Sequence, residues 1–459
     1  AVLVPSQGQT VALTIDDPQA PGGRRAHEWR VPSRAECYLC HNPWAGYRLG
    51  FTTSQLAKVH DYGSGAADQL ATLRHVGLIE LSEEDADAEP KFVDPFDEST
   101  DLATRARSYL HVNCAHCHRF GGGGTATIDL RFEVPLGDAK MLDLRPTQGT
   151  FQIPDARILA AGDPYRSLLY YRAAKMGRGR MPYLGSQEVD ERAVRLLRQW
   201  IEGMPRSEEL APSLKTRRAN HLTALKRLRS DNALTKEESQ KELRRLTSST
   251  SGALLLMDLL DEDSTGKKIR KQALSSVLAE SAPHVRDLFE RFLPRDQRRK
   301  TLGGSVDPAA ILAMKGDASA GERLFLHTIG VQCKNCHRVG KIGVAIGPDL
   351  SGVGLKNDRA KLLESILQPS KLIDPKYAAY LLETKAGQVH SGLLVEKTEA
   401  RIVLRDARDK LIRVPASEVE TLVPQRNSLM PELLFRDMTA QQLADLLEYL
   451  AGLKKPRSD

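Results

Sequence analysis

The sequence predicts a mainly helical chain of several small modules, with one small antiparallel sheet inserted in the last of them. Three observations point there. Apolar residues recur at helical spacing through much of the 459 residues. Between residues 376 and 424 that period gives way to strand-like alternation, as in Val389, Leu393 and Val395. The short motif Cys-x-x-Cys-His occurs three times, each copy among helical stretches, and the chain divides naturally around it.

The first module is expected over 1–95. Residues 1 to about 35 alternate (Val2, Val4; Val11, Leu13, Ile15) and read as short strands leading through Trp29 and Pro32 to Cys37, Cys40 and His41. Helices are expected at 54–59 and 68–78, separated by a turn at 61–65. An acidic stretch, 83–89, ends at Pro90 and marks a boundary. The second module is expected over 96–205. A helix at 101–112, capped by Ser99 or Thr100, delivers Cys114, Cys117 and His118. Glycines 121–124 lack the Gly-Lys-Ser/Thr ending of a phosphate loop and read as a bend. Met181-Pro182 follows 63 residues after His118, and an amphipathic helix at 189–201 closes the module near Gly203.

Residues 206–300 contain no cysteine and several helical stretches: 217–228, 236–246, 253–260, 268–278 and 285–292. No clean repeat period emerges, and the region reads as a helical spacer or scaffold. The last module, 301–459, opens with a helix at 318–327 before Cys333, Cys336 and His337. A turn at 347–350, a helix at 359–367, the β insertion at about 376–424, Met430-Pro431 and a closing helix at 441–453 complete it. Met430 lies 93 residues after His337. Helix, motif, loop, Met-Pro and closing helix is the order of a small cytochrome c domain, and both later modules follow it.

All six cysteines belong to the three motifs. A disulfide framework is a poor reading, since the chain is long and the pairs too local to close useful loops. A redox pair of the thioredoxin type has no use for the following histidine. Zinc ribbons use two pairs, and three leave one over. Covalent haem uses every residue: two thioethers to the vinyl groups and the adjacent imidazole on iron. Three haem c groups are therefore expected, with His41, His118 and His337 as proximal ligands. Such haem is attached outside the cytoplasm, which implies a periplasmic or equivalent compartment.

Met181 and Met430 are the expected sixth ligands of the second and third irons. A lone methionine is more often core packing, but each of these precedes a proline and a terminal helix. Met176, Met204, Met314 and Met438 read as packing or surface. For the first iron His75 is the first choice, with His60, His27, His111 and Met141 as alternatives. A histidine taken singly is ordinarily a surface or hydrogen-bonded imidazole. Six-coordinate irons imply an electron-transfer protein working with redox protein partners. An open first iron, with Glu36, His60 or His75 as acid/base group, implies a multihaem peroxidase instead.

The formal charge is +7, from 66 Lys and Arg against 59 Asp and Glu. Haem propionates would offset much of it, so no nucleic-acid partner is implied. No run approaches the roughly 18 apolar residues of a membrane helix. The first residue is Ala, as expected of a processed chain or a piece of a longer one.

Residues 317–455 resemble the haem-binding domain of planctomycete and verrucomicrobial multidomain cytochromes. The stretches that carry the resemblance are 333–337, Gly-Pro-Asp-Leu-Ser-Gly-Val-Gly at 347–354, Leu-Glu-Ser-Ile-Leu at 363–367, Pro369-Ser370, Ile-Asp-Pro-Lys-Tyr at 373–377, Ser-Leu-Met-Pro-Glu at 428–432 and 444–447. Residues 28–203 resemble a different family, of diheme c-type cytochromes. That likeness rests on 32–37, Leu49-Gly50, 68–70, Asn-Cys-Ala-His-Cys-His at 113–118, Gly162-Asp163-Pro164, Arg-Met-Pro at 180–182 and Trp200-Ile201. It implies that the N-terminal strands are the tail of a larger domain. It also implies, as a partner, a β-propeller dehydrogenase with a quinone cofactor.

Overall fold

The computed structural model describes residues 4, 8–16, 23–38, 40–41, 47–82, 84, 91–119, 122, 124, 126, 128–146, 149–206, 209–230, 234–262, 265–280, 282–294, 297–303, 306–327, 333–385, 389–406, 409–425, 428–430 and 434–455. Val2, most of the acidic stretch 83–89, Gly121, Gly123 and Pro431 lie outside the described residues.

Two strands open the chain, Gln9–Asp16 and Arg24–Val31, paired antiparallel with Val11 opposite Trp29 and Leu13 opposite His27. A one-turn helix, Arg34–Cys37, carries the first cysteine. The expected helix at 54–59 is shorter, Thr53–Leu56, because the chain turns there into a hairpin, Val59–Asp61 against Ala66–Asp68. The turn chemistry explains the change: the Asp61 carboxylate accepts from Gly63 N at 2.8 Å, and Gly63 takes a φ of 80° open to glycine. The helix Gln69–His75 then starts on Asp68, whose side chain accepts from Ala71 N.

Helix Leu102–Leu110 is capped by Asp101 rather than Ser99 or Thr100, with Thr104 N donating to the carboxylate at 2.8 Å. It runs into a wider turn, His111–Ala115, that holds Cys114. Helices Leu168–Ala174 and Glu191–Glu202 follow, the second capped by Asp190. Five more make up the region read as a spacer: Pro212–Arg229, Lys236–Thr247, Thr250–Asp261, Lys267–Glu280 and Pro283–Phe289. One hydrophobic core runs from Ala106 through to Phe289. Thr250–Asp261 is apolar on nearly all sides, as a helix at the centre of a core must be. Tyr171 Oη donates to His284 O at 2.7 Å and Thr250 Oγ1 to Phe151 O at 2.6 Å, tying these helices to the second motif's surroundings.

The last module has its own core, in which Ala318–His327 crosses Ala440–Gly452 closely. A Cβ at Gly321 would lie 2.1 Å from Asp445 O, so only glycine permits that approach. Helix Arg359–Leu367 packs on the same core. The β insertion is a five-stranded antiparallel sheet ordered Leu411–Pro415, Arg401–Arg405, Val389–Lys397, Ala379–Thr384, Val419–Pro424. Leu382, Ile402, Leu404 and Val414 form its separate small core. The molecule is thus a helix-dominated mixed fold with one five-stranded sheet near the C-terminus. Among the described residues no helix is long and apolar enough to cross a membrane.

Candidate functional site: three cysteine–histidine turns

The three motifs adopt one local geometry. In each, the carbonyl of the first cysteine accepts from both the second cysteine and the histidine. Cys37 O accepts from Cys40 N at 3.2 Å and His41 N at 2.8 Å. For Cys114 O the distances to Cys117 N and His118 N are 3.1 and 2.9 Å, and for Cys333 O to Cys336 N and His337 N they are 3.1 and 2.8 Å. A helical turn of this kind sets positions i, i+3 and i+4 on one face, as one ligand held by all three side chains requires.

The imidazoles are oriented from behind. His337 Nδ1 lies 2.9 Å from Pro348 O, and His41 Nδ1 lies 2.7 Å from Tyr47 O. A ring that donates from Nδ1 to a carbonyl presents Nε2 as its basic nitrogen. His118 Nδ1 is buried with no hydrogen-bond partner among the described residues, while the Ala126 backbone acts to raise its pKa. Burial dominates there, and together with the Arg172 and His116 charges it pushes His118 down to about 4. Burial also lowers His337. Both shifts favour the neutral ring, the form a metal takes. Glycines make room for them: a Cβ at Gly347 would sit 2.7 Å from His337 Cε1, and one at Gly124 2.8 Å from His118 Nδ1.

Met430 packs against the core that also holds Cys333, Phe325 and Leu447, and its N–H bonds Ser428 Oγ at 3.1 Å. Met181 is tied to the second motif through Arg172. Met181 N donates to Arg172 O at 2.9 Å, Arg172 Nη1 donates to Gly179 O at 2.9 Å, and the Arg172 charge bears on His118. His75 is exposed in the last turn of its helix. His60 is exposed with Tyr62 edge-on at 4.6 Å. His27 sits beside Trp29, 3.9 Å from Glu188. His111 accepts from Phe132 N at 2.9 Å, and Met141 is 1% exposed within the second motif's core.

The described surroundings of the first motif lack a core of their own. From residue 47 to 82 Leu70 is the one buried apolar side chain, while Tyr47, Phe51, Val59, Tyr62, Val76 and Leu78 are exposed. Glu36, next to Cys37, is fully buried and accepts from Arg30 Nη2 and Ser33 N, both at 2.7 Å. An acid/base role for Glu36 would compete with that buried pairing.

Several residues near the motifs escape sequence reasoning. Cys40 Sγ and Cys117 Sγ are 2.9 Å apart, with His116 completing a group of three possible metal donors. Arg178 lies close enough to Cys333 for the two charges to interact. Tyr183 packs on the third module's core, with the Arg436 guanidinium 4.7 Å over its ring. Gly177, Gly179 and Gly185, all at positive φ, are local signs of a tightly folded segment there. No family model matches the chain, and no curated protein matches it either.

Proposed function

We propose that this chain is a triheme c-type cytochrome that transfers electrons between a periplasmic donor and a downstream acceptor. The observation that carries the reading is the repetition of one geometry: three Cys-x-x-Cys-His turns that use every cysteine, two with Nδ1 held by a backbone carbonyl. Zinc needs four donors and does not call for that repetition. Each turn offers two thioether positions and an imidazole Nε2, which is what one covalent haem takes. A macrocycle held by the first turn would give the exposed apolar residues around it a surface to pack on.

Cys37, Cys40 and His41 would hold the first haem, Cys114, Cys117 and His118 the second, and Cys333, Cys336 and His337 the third. Met181 and Met430 are the proposed sixth ligands of the last two, and His75 that of the first. The last two modules are read as cytochrome c-like, the likeness to the two cytochrome families extending over 28–203 and 317–455. When bound, haem supplies a one-electron ferric/ferrous couple. The chain's own part is to fix the ligands, exclude water and set potentials. A dehydrogenase of the quinone-dependent β-propeller class is the proposed donor.

The test is the intact mass and spectrum of chain matured with its haem-attachment machinery. Three covalent haems, all low-spin when ferric, are expected. A stable high-spin ferric signal that responds to peroxide and oxidises an added donor would replace electron transfer with peroxidase chemistry at the first haem.

A further inference from the structure

We infer that the first and second haems form a contact pair, meeting at the edges attached through Cys40 and Cys117. The inference rests on the triheme reading and goes beyond it, because motif spacing says nothing of which atoms of two modules meet.

A thioether sulfur is bonded directly to a substituent of the ring, so the position of each sulfur marks one edge of its macrocycle. Cys40 Sγ and Cys117 Sγ lie 2.9 Å apart although 77 residues separate them. Attachment removes both S–H groups and sets the sulfurs at van der Waals separation, yet both macrocycle edges still leave from one region of the fold. This point is not a chance meeting of loose side chains, since Cys40 is 8% exposed. It is also braced by contacts elsewhere in the same two modules. Arg25 grips Glu188 with two bonds, at 3.0 and 2.9 Å, and fixes the N-terminal hairpin on the segment after Met181. Arg180 bonds Ser186 Oγ at 2.7 Å and Ser186 O at 2.9 Å, bracing that segment from inside. Glu36 reaches the same segment electrostatically, at Tyr183.

The third motif has a different neighbour. Cys333 is half-buried near Arg178 and packs on the same core as Tyr183, so it faces the segment around Met181 rather than a cysteine of another motif. Within the pair, one electron passes from a ferrous to a ferric iron with no bond made or broken. The competing occupant of the Cys40–Cys117 contact is a soft metal ion, with His116 as a third donor.

Circular dichroism in the Soret band of the intact holoprotein tests the pair, since two haems in contact couple into a bisignate signal. That couplet is expected in the wild type. It should vanish in Cys37→Ala/Cys40→Ala and in Cys114→Ala/Cys117→Ala, and persist in Cys333→Ala/Cys336→Ala. Should a double variant fail to fold, ferric EPR of the wild type serves alone, with spin coupling expected between two of the three signals. Three haems by mass with neither a couplet nor spin coupling overturns the pair and leaves the triheme reading standing. Fewer than three haems, with Cys40 and Cys117 binding zinc instead, overturns the triheme reading and the pair together.

Discussion

At the scale of single residues the sixth ligands carry the sharpest consequences. If Met430 and Met181 place sulfur on iron, each stabilises the ferrous state of one haem. Met430→Leu and Met181→Leu should each lower one midpoint potential on the order of 0.1 V, within the about 0.8 V that axial ligation spans. Each should also remove part of the sulfur-to-iron charge-transfer band. Redox titration reads both, and an unchanged midpoint would assign that sulfur to core packing. A different residue controls stability. Burial lifts the Asp258 carboxyl from 3.8 to about 6, although Tyr170, Arg198 and Tyr165 all oppose the rise. The folded state thus holds this proton more tightly than the unfolded chain. Its contribution to stability is full below pH 3.8 and is lost as pH rises through about 6. Asp258→Asn keeps one acceptor oxygen, for either Tyr165 or Tyr170, without titrating. Its melting temperature should therefore gain on the wild type as pH rises across that window. Parallel melting curves would show that Asp258 does not set this dependence. The three cysteine–histidine turns were legible from spacing, because each is built from contiguous residues. Arg178, Tyr183 and His116 were not, because their partners lie far away along the chain and only folding brings them together.

At the scale of elements, the β insertion behaves as a part added to a finished module. Its first and last strands meet where it leaves the helical core, with Gln425 N donating to Ala379 O at 2.7 Å. Its small core is separate from the one that holds Cys333 and Met430. Replacing residues 379–425 by a short Gly-Ser linker should therefore leave the third haem attached, low-spin and with its Met430 ligation unchanged. Loss of that haem's low-spin spectrum on excision would show that the sheet is needed to close the haem site. Elements with a long period were easy to read: Arg359–Leu367 coincides with its expected bounds, and Ala318–His327 does too. Leu168–Ala174 and Pro308–Ala313 went unseen, being too short, at 7 and 6 residues, to show a helical period. Val59 shows the opposite error, where an apolar residue at helical spacing was recruited into a hairpin by the turn after it.

At the scale of the molecule, the helices between 206 and 300 do more than separate the second and third cysteine–histidine turns. A helix's apolar stripe reports that something covers it but not what, so their partner could not be read from sequence. In the structure their partner is the second motif's own core. Tyr165 Oη donates to Asp258 at 2.9 Å, Ser251 Oγ to Tyr165 O at 2.9 Å and Met176 N to Asp287 O at 2.8 Å. Lys175, 1% exposed, pairs with Asp287 at 2.8 Å. Cutting the chain at 205 would bare Tyr170, Tyr171 and Leu168 and leave Lys175 without its carboxylate. Losing one partner of a buried ion pair costs about 3–5 kcal/mol, and each large apolar side chain returned to water adds about 1.5–3 kcal/mol. Those costs together are comparable with the about 5–15 kcal/mol that holds a typical domain folded. A fragment of residues 96–205 should consequently fail to fold as a stable monomer, whereas 96–294 should fold. Limited proteolysis with haem staining distinguishes them: the shorter fragment should be digested at once and the longer one protected. A protease-resistant 96–205 fragment with a low-spin haem would mean that the second module stands alone and that the helices merely lean on it.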